Sequence, residues 1–295
     1  MTMRWIVIGN EMIASEFVSK LDELGKLSEW VKNPCDEIGL KNDADIAYVS
    51  IYGRRRFDVI CELLQKGYNV ISEKPMFNSE KELLEAKKIA EREACVFGEA
   101  NTILYMPLLK ELKSKMQDII GNLKFMHVEF GSLKEENIGL PVFRKDKSGG
   151  SLYDVGIYAL TIVQMFVDSP CLDEKSVLIK HLSGVDERCS VQLKYKDCLA
   201  GVDISIRNKL DKRCIISGDK AYVDILNYPR CDKAKIVYPS GEYIEVESGK
   251  TEDALLYEIQ GFEQKVRNKD LNDLEITKEV LKIMDKVRKE NKLDD

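Results

Sequence analysis

Residues 5–14 read WIVIGNEMIA, an apolar run that ends at a glycine and continues with helical spacing. A βαβ unit begins in this way, and the turn that binds a dinucleotide follows the pattern G-x-G-x-x-G/A. Gly9 and Ala14 match the first and third positions. Glu11 occupies the second, where a glycine normally lets the backbone approach a pyrophosphate. The stretch predicts a Rossmann-type first turn with an altered phosphate loop.

Strand and helix patterns alternate through the first hundred residues, which indicates a parallel sheet with right-handed crossovers. The predicted strands are RWIVIG, DIAYVSIY, YNVISEKP and CVFGEA, and the predicted helices are MIASEFVSKLDEL, RFDVICELLQKG and SEKELLEAKKIAERE.

One unit of this alternation is short. Residues 27–44 can hold one short strand near Glu29–Val31 and little else, because a parallel crossover needs about 10–12 residues. We expect the second crossover helix and the next strand to be missing or reduced to a loop. The usual acidic ribose contact, about 20 residues past the turn, has no clear equivalent. Lys32 lies near that place, either as a solvated surface lysine or facing a 2′-phosphate.

The pattern changes after about residue 120, where strands follow one another with little helix between them. They include NLKFMHVEFGSL, KSVLIKHLSG, CSVQLKYK and CLAGVDISIR, and the tail from Glu252 to Lys292 is helical. The predicted fold class is α/β, with a shortened Rossmann-like domain over 1–103 and an α+β domain over 104–295. The second domain has a mainly antiparallel open sheet, and its C-terminal helices pack back on the first domain.

Composition narrows the function classes. The 295 residues carry a net charge of −6 with Lys and Glu interspersed, which argues against nucleic-acid binding. No stretch reaches the roughly 18 apolar residues of a membrane span. The eight cysteines include no C-x-x-C pair, so we interpret them as reduced and the location as cytoplasmic. With only His127 and His181, neither beside a ligand partner, no metal site is expected.

Two stretches carry chemistry. In SEKPMFN, Lys74 follows a parallel strand at the edge where open α/β sheets bind ligands. In GGSLYDVGIYAL, Asp154 and Tyr158 are four residues apart on a predicted helix and share a face. A lysine charge favours the phenolate and a carboxylate can orient the substrate, so the three residues form a plausible proton-transfer group. Their alternative reading is a strand-end surface lysine and an ordinary helix pair.

These residues carry a resemblance. The EKP segment, the IGNEMIA turn, the bridge EANTILYMPLLKELK, GGSLYDVGIY, ISGDKAYVDI and YEIQGFEQKVRN occur in the order found in the glucose-fructose oxidoreductase / inositol dehydrogenase / MocA family. The resemblance implies a Rossmann domain, a second domain with an open antiparallel sheet, and oxidation or reduction of sugars, cyclitols or related alcohols with NAD or NADP. It also implies a homodimer or homotetramer formed through the C-terminal sheet.

The resemblance implies roles residue by residue. Lys74 matches the lysine near nicotinamide and substrate, Asp154 matches the aspartate of the D-x-G-x-H/Y helix, and Tyr158 takes the proton-transfer position. The tyrosine version is similar to the dihydrodiol dehydrogenase and glucose-fructose oxidoreductase branches. The expected cofactor contacts are Gly9, Asn10, Glu11, Met12, Ile13, Ile51, Tyr52, Glu73 and Lys74. The expected substrate contacts are Arg56, Asn101 and Arg144.

The departures from the family pattern concern the cofactor. Besides Glu11, the loop after AYVSI reads IYGRRRF where the family usually has T-P-N-x-x-H, and Leu104 replaces a common arginine. Arg54 to Arg56 either supply charge to a phosphate or begin a solvated helix.

Three hypotheses follow. The first is an NAD(P)-dependent oxidoreductase acting on a sugar or cyclitol, with a phosphorylated or nucleotide-linked substrate as an option in view of the arginines. The second is a redox-inactive family member that binds a sugar or nucleotide as a subunit. A purely structural assembly role leaves Lys74, Asp154 and Tyr158 without a purpose.

Overall fold

The computed structural model describes residues 2–9, 12–33, 44–53 and 55–293. The chain divides into two compact units. The first comprises Met1–Asn101 with Leu255–Leu274, and the second comprises Thr102–Ala254 with Glu275–Asp295. Each is described by itself, and the boundary expected after residue 103 stays a prediction.

The first unit is built on five parallel strands in the order β2-β1-β3-β4-β5, as the alternating pattern predicts. The strands β1 and β3 are buried along their whole length, because helices cover both faces of such a sheet. The bounds are β1 Trp5–Gly9, α1 Met12–Glu23, β2 Leu27–Val31, β3 Ile46–Ser50, α2 Arg55–Gln65, β4 Asn69–Glu73, α3 Glu80–Glu93 and β5 Phe97–Ala100.

The short strand expected near Glu29–Val31 is present as β2. The strand β2 is the outer strand of this sheet, and between Val31 and Ile46 the described residues add no helix or strand. The remaining positions, 34–43, lie outside the described residues. On the same side, the Glu263 carboxylate of helix α6 (Ala254–Asn268) accepts from the Trp5 indole at 3.1 Å and pairs with Lys26 at 2.5 Å. These contacts fix a distant segment of the chain to the first unit.

The second unit holds an eight-stranded sheet in the order β13-β12-β11-β10-β6-β9-β8-β7. All neighbours are antiparallel except β6 and β9, which are parallel. The remaining elements are α4 Pro107–Ile120, β6 Leu123–Gly131, α5 Ile157–Val167, β7 Asp173–Lys180, β8 Asp186–Lys194, β9 Leu199–Ser205, β10 Leu210–Gly218, β11 Tyr222–Leu226, β12 Lys233–Val237, β13 Tyr243–Glu247 and α7 Asp273–Glu290.

One sheet face packs on helix α5 and the other is open. Met126 and Val128 of β6 are fully buried, whereas Phe125 on the opposite face is 43% exposed. The segment Lys145–Val167, which ends in α5, is long and apolar enough by composition to cross a membrane, but 83% of its most apolar window is buried. Such burial is typical of a central helix in a folded domain.

The prediction of an ordinary helix around Asp154 is wrong. Residues Leu152–Gly156 form a π-helical turn, and the α-helix starts only at Ile157. The buried Asp186 at the start of β8 accepts from the Ser151 hydroxyl at 2.5 Å and from the Leu152 amide at 2.7 Å. This carboxylate replaces the missing intrahelical partners at the start of the turn.

Candidate functional site

The carboxyl ends of the parallel strands bring most of the expected cofactor residues to one edge of the sheet in the first unit. Gly9 ends β1 opposite Ser50, which ends β3, and Glu73 ends β4 opposite Ala100 of β5. Ile51 and Tyr52 directly follow β3, Lys74 follows β4, and Asn101 follows β5. In open α/β sheets this edge is where ligands bind.

The turn after β1 requires its glycine. Gly9 has a φ of +115°, and a Cβ atom there would lie 1.8 Å from the carbonyl oxygen of Ser50. Helix α1 begins at Met12 and continues through Ile13, so its unpaired N-terminal amides are close to the turn. These features fit the first half of a pyrophosphate site. Asn10 and Glu11, also expected to contact the cofactor, lie outside the described residues.

Trp30 also contacts the turn at Gly9, although the sequence did not predict this contact. Its indole nitrogen donates to the carbonyl oxygen of Gly9 at 2.9 Å, and the Lys32 ammonium lies 4.2 Å from its ring centroid. This arrangement occupies the end of β2, where the acidic ribose contact of related folds is expected. The available sequence signal was a tryptophan 21 residues past Gly9.

Lys74 is flanked by two buried carboxylates. Glu73, 8% exposed, accepts from the Tyr48 hydroxyl at 2.6 Å, and Glu99, 2% exposed, accepts from the Met76 amide at 2.9 Å. Burial raises the pKa of both carboxyls, while these hydrogen bonds and the charge of Lys74 oppose the rise. The lysine is half-buried at the end of β4. The positive charge of Lys74 therefore acts on both buried carboxyl groups.

The side chain of Asn101 belongs to the same group. Its amide nitrogen donates to Glu99 at 3.4 Å, and the asparagine is fully buried. Glu99 was not among the expected site residues, because the CVFGEA pattern shows only a buried strand. The strand register, which sets Glu99 beside Ser72 of β4, brings it to Lys74.

Arg56 ties two loops together. Its Nε donates to the Ile51 carbonyl at 2.6 Å and its Nη1 donates to the Pro75 carbonyl. The side chain is 8% exposed, in the first turn of α2. It therefore holds the loop after β3 against the loop that carries Lys74, while its expected substrate contact stays a prediction. Of the other two arginines, Arg55 begins α2 and Arg54 lies outside the described residues.

In the second unit, Asp154 lies in the π-helical turn and Tyr158 in the first turn of α5. The Asp154 carboxylate pairs with the Lys134 ammonium at 3.3 Å. The Tyr158 ring lies 5.9 Å from that of Phe130, which ends β6 on the covered sheet face. A π-turn inside a helix is frequently found at functional sites.

Arg144 stands apart from this helix in sequence and in its contacts. It follows a short 3₁₀ turn and forms a two-pronged pair with the neighbouring Asp146, at 2.7 Å and 3.0 Å. Its expected role in substrate binding stays a prediction. Among the described residues, no group of three His, Cys, Asp or Glu side chains is arranged to hold a metal ion.

Two family models match the chain over most of its length. Residues 4–100 match the oxidoreductase family with an NAD-binding Rossmann fold, and residues 113–224 match the GFO/IDH/MocA C-terminal domain. The chain belongs to the glucose-fructose oxidoreductase / inositol dehydrogenase / MocA family. The family resemblance and the fold class expected from the sequence are both confirmed.

Curated relatives of this family member are trans-1,2-dihydrobenzene-1,2-diol dehydrogenases. The human enzyme is 25% identical over 272 residues, 83% of this chain and 80% of the relative. The Xenopus laevis enzyme is 27% identical over 204 residues, and the match covers 65% of this chain. The chain spans about three fifths of that relative, 59% of its length.

A solved structure shows the same fold. KijD10, a 3-ketoreductase from Actinomadura kijaniata in complex with NADP and TDP-benzene, superposes with a TM-score of 0.83 at 16% identity. The superposition covers 98% of each chain. At this identity the likeness concerns the fold alone.

Proposed function

We propose that this family member is an NAD(P)-dependent oxidoreductase that interconverts a hydroxyl and a carbonyl group on a sugar, cyclitol or related substrate. The observation that carries the proposal is Lys74, held beside two buried carboxylates at the ligand-binding edge of the Rossmann sheet. The relatives support it, since their names describe a diol dehydrogenase and a 3-ketoreductase. The choice between NAD and NADP stays open.

The cofactor side of the proposal uses the first unit. The turn at Gly9 and the start of α1 would hold the pyrophosphate, with Met12 and Ile13 in the first helical turn. Ile51, Tyr52, Glu73 and Lys74 would line the nicotinamide side. A bound nicotinamide dinucleotide supplies the hydride chemistry, and the protein supplies position and proton transfer.

The proton-transfer side uses Tyr158. In the proposal, its phenol gives or takes the proton of the reacting oxygen, Lys74 stabilises the phenolate, and Asp154 orients the substrate. That Lys74 and Tyr158 act on one substrate is itself part of the proposal. It predicts that their removal is non-additive, because residues that act as one unit lose their joint effect when either is removed.

Cofactor binding is tested first. The protein has two tryptophans, of which Trp5 is fully buried and Trp30 contacts the Gly9 turn. Titration with NADH and NADPH should change the fluorescence of the wild-type protein, and Trp30→Phe should lose most of that change. An unchanged spectrum at millimolar concentrations of both cofactors, together with no calorimetric binding, would overturn the proposal.

Turnover is tested next, with a panel of aldoses, cyclitols and trans-diols and the absorbance of the reduced nicotinamide. Lys74→Met and Tyr158→Phe should each lower kcat by about 10²–10⁴, and the double variant should lose little more. The matched control is Tyr238→Phe, which removes an exposed phenol at the end of β12. Full activity in Tyr158→Phe would show that the Tyr158 phenol takes no part in the reaction.

The redox-inactive alternative rests on the shortened stretch at residues 27–44 and on Glu11 in the expected phosphate loop. It expects sugars to raise the melting temperature without any change at the nicotinamide band. Sugar-dependent NAD(P)H formation that is lost in Lys74→Met would reject it.

The proposal includes a homodimer or homotetramer formed through the open sheet face, and a cytoplasmic location. The open face of the eight-stranded sheet supports this assembly, because apolar side chains lie exposed along it. They are Phe125, Val177, Ile179, Leu199, Tyr222, Leu226 and Tyr243. Exposed apolar side chains that share one face are typical of a protein interface.

A further inference from the structure

Phe130 at the end of β6 is the centre of a small cluster in the second unit. The ring of Tyr158 lies 5.9 Å from its ring and that of Tyr228 lies 6.2 Å away in an edge-on arrangement. The Lys212 ammonium, from β10, lies 5.0 Å from the Phe130 ring centroid. The buried Phe130 ring, 6% exposed, therefore contacts both Lys212 and Tyr158, the proposed proton-transfer residue.

Lys212 lies within a group of positive charges. Partial burial lowers the pKa of Lys212, and the charges of Lys209, Arg230 and Lys134 lower it further. Lys134 is paired with Asp154, but Lys209, Lys212 and Arg230 form no ion pair with any residue of the described ranges. We call Lys134, Lys209, Lys212 and Arg230 the basic cluster.

Such a cluster is unfavourable without an anion. A half-buried ammonium loses part of its hydration, and like charges nearby add repulsion. The cation–π contact with Phe130 is a weak attraction that leaves the repulsion between the like charges in place. A phosphate group would reverse the balance, because lysine and arginine bind phosphate through charge-assisted hydrogen bonds.

We propose that the basic cluster binds the phosphate of a phosphorylated sugar or sugar nucleotide whose reacting hydroxyl or carbonyl faces Tyr158. This inference rests on the proposed function and narrows its substrate class. The contacts through Phe130 limit the distance between the Tyr158 ring and the Lys212 ammonium to at most about 11 Å. A phosphorylated hexose can reach from Tyr158 to Lys212 within that distance.

The first test uses inorganic pyrophosphate as the probe. It is titrated by calorimetry at constant ionic strength with the cofactor site saturated by NADPH, so that the turn at Gly9 is not available to it. Lys212→Met should weaken pyrophosphate binding about tenfold, the effect of losing one charge-assisted hydrogen bond. Equal affinity in the wild-type protein and Lys212→Met would overturn the inference.

The structure offers a matched control. Lys235 of β12 also places its ammonium over an aromatic ring, 4.8 Å from the Tyr243 centroid, but it pairs with Glu245 at 3.6 Å. Lys235→Met therefore removes the same kind of charge and cation–π contact outside the basic cluster. It should bind pyrophosphate like the wild-type protein, and a tenfold loss here would show a general charge effect and refute the site.

The second test identifies the substrate class by competition. Glucose 6-phosphate or UDP-glucose should displace pyrophosphate, whereas glucose at the same concentration should not. Failure of both phosphorylated sugars to compete would overturn the inference. If neither NADH nor NADPH binds, the proposed function fails, but the comparison of Lys212→Met with Lys235→Met in pyrophosphate still decides on the basic cluster.

Discussion

Replacing Asp186 by asparagine should remove a contribution to stability that the wild-type protein loses as the pH rises. Asp186 is 2% exposed and accepts from Ser151 and Leu152 at the start of the π-helical turn that carries Asp154. Burial raises its pKa from 3.8 to about 6, although both hydrogen bonds act in the opposite direction. Asparagine keeps an acceptor oxygen in the same place but does not titrate.

The magnitude and sign follow from linkage. A carboxyl whose pKa is raised on folding binds its proton more tightly in the folded state than in the unfolded state. Its contribution to the free energy of unfolding is therefore fully present below about pH 4 and is lost as the pH rises through about 6. The loss amounts to about 3 kcal/mol, since each pKa unit corresponds to about 1.4 kcal/mol.

The assay is urea unfolding of the wild-type protein and Asp186→Asn between about pH 4 and about pH 7, followed by circular dichroism. Subtracting the two curves removes the titration of every other group. The wild-type protein should lose about 3 kcal/mol relative to Asp186→Asn across this range. A difference that stays constant would show that the hydrogen bonds cancel the effect of burial, a difference that rises with pH would show that they outweigh it, and either result would refute the reasoning.

Asp219 provides a control of opposite sign. It is exposed in the turn after β10 and accepts from the backbone and side-chain nitrogens of Asn122, which lower its pKa. The folded state therefore releases its proton more readily than the unfolded state. Relative to Asp219→Asn, the wild-type protein should gain stability as the pH rises, with a smaller amplitude because the group is exposed.

Two other substitutions, each with its own control, test the turn at Gly9 and the open face of the eight-stranded sheet. Gly9→Ala should lower the free energy of unfolding by more than about 3 kcal/mol, because its Cβ would lie 1.8 Å from the Ser50 oxygen. Gly67→Ala, also at positive φ but in open space, should cost about 1 kcal/mol in the same urea titration, and equal losses would contradict the steric argument. Phe125→Glu should halve the mass measured by sedimentation, whereas Leu182→Glu, which changes a fully exposed residue beyond β7, should not. A wild-type protein that sediments as a monomer at micromolar concentration would exclude the proposed assembly.

The order of strands and helices in the first unit follows from local pattern. Buried apolar runs such as the one that ends at Gly9 predicted four of the five strands, because hydrophobic patterning reports which faces are covered; the short strand near Glu29–Val31 was inferred from the length of chain available. The position of Lys74 at the ligand-binding edge follows in the same way, since parallel strands end at a common edge. The resemblance of motifs in the correct order then identified the family, which the two family models confirm.

The surroundings of those residues depended on contacts between distant parts of the chain. Trp30 reaches Gly9 across 21 positions, Asp186 caps a turn 34 positions before it, and Lys212 lies over Phe130. No local period encodes such pairs, because strand register and strand order decide which side chains meet. For the same reason the π-helical turn at Asp154 was predicted as ordinary helix: the carboxylate that supports it belongs to another strand. The sequence therefore predicted which residues carry the chemistry, while the tertiary structure decided which charged and aromatic groups surround them.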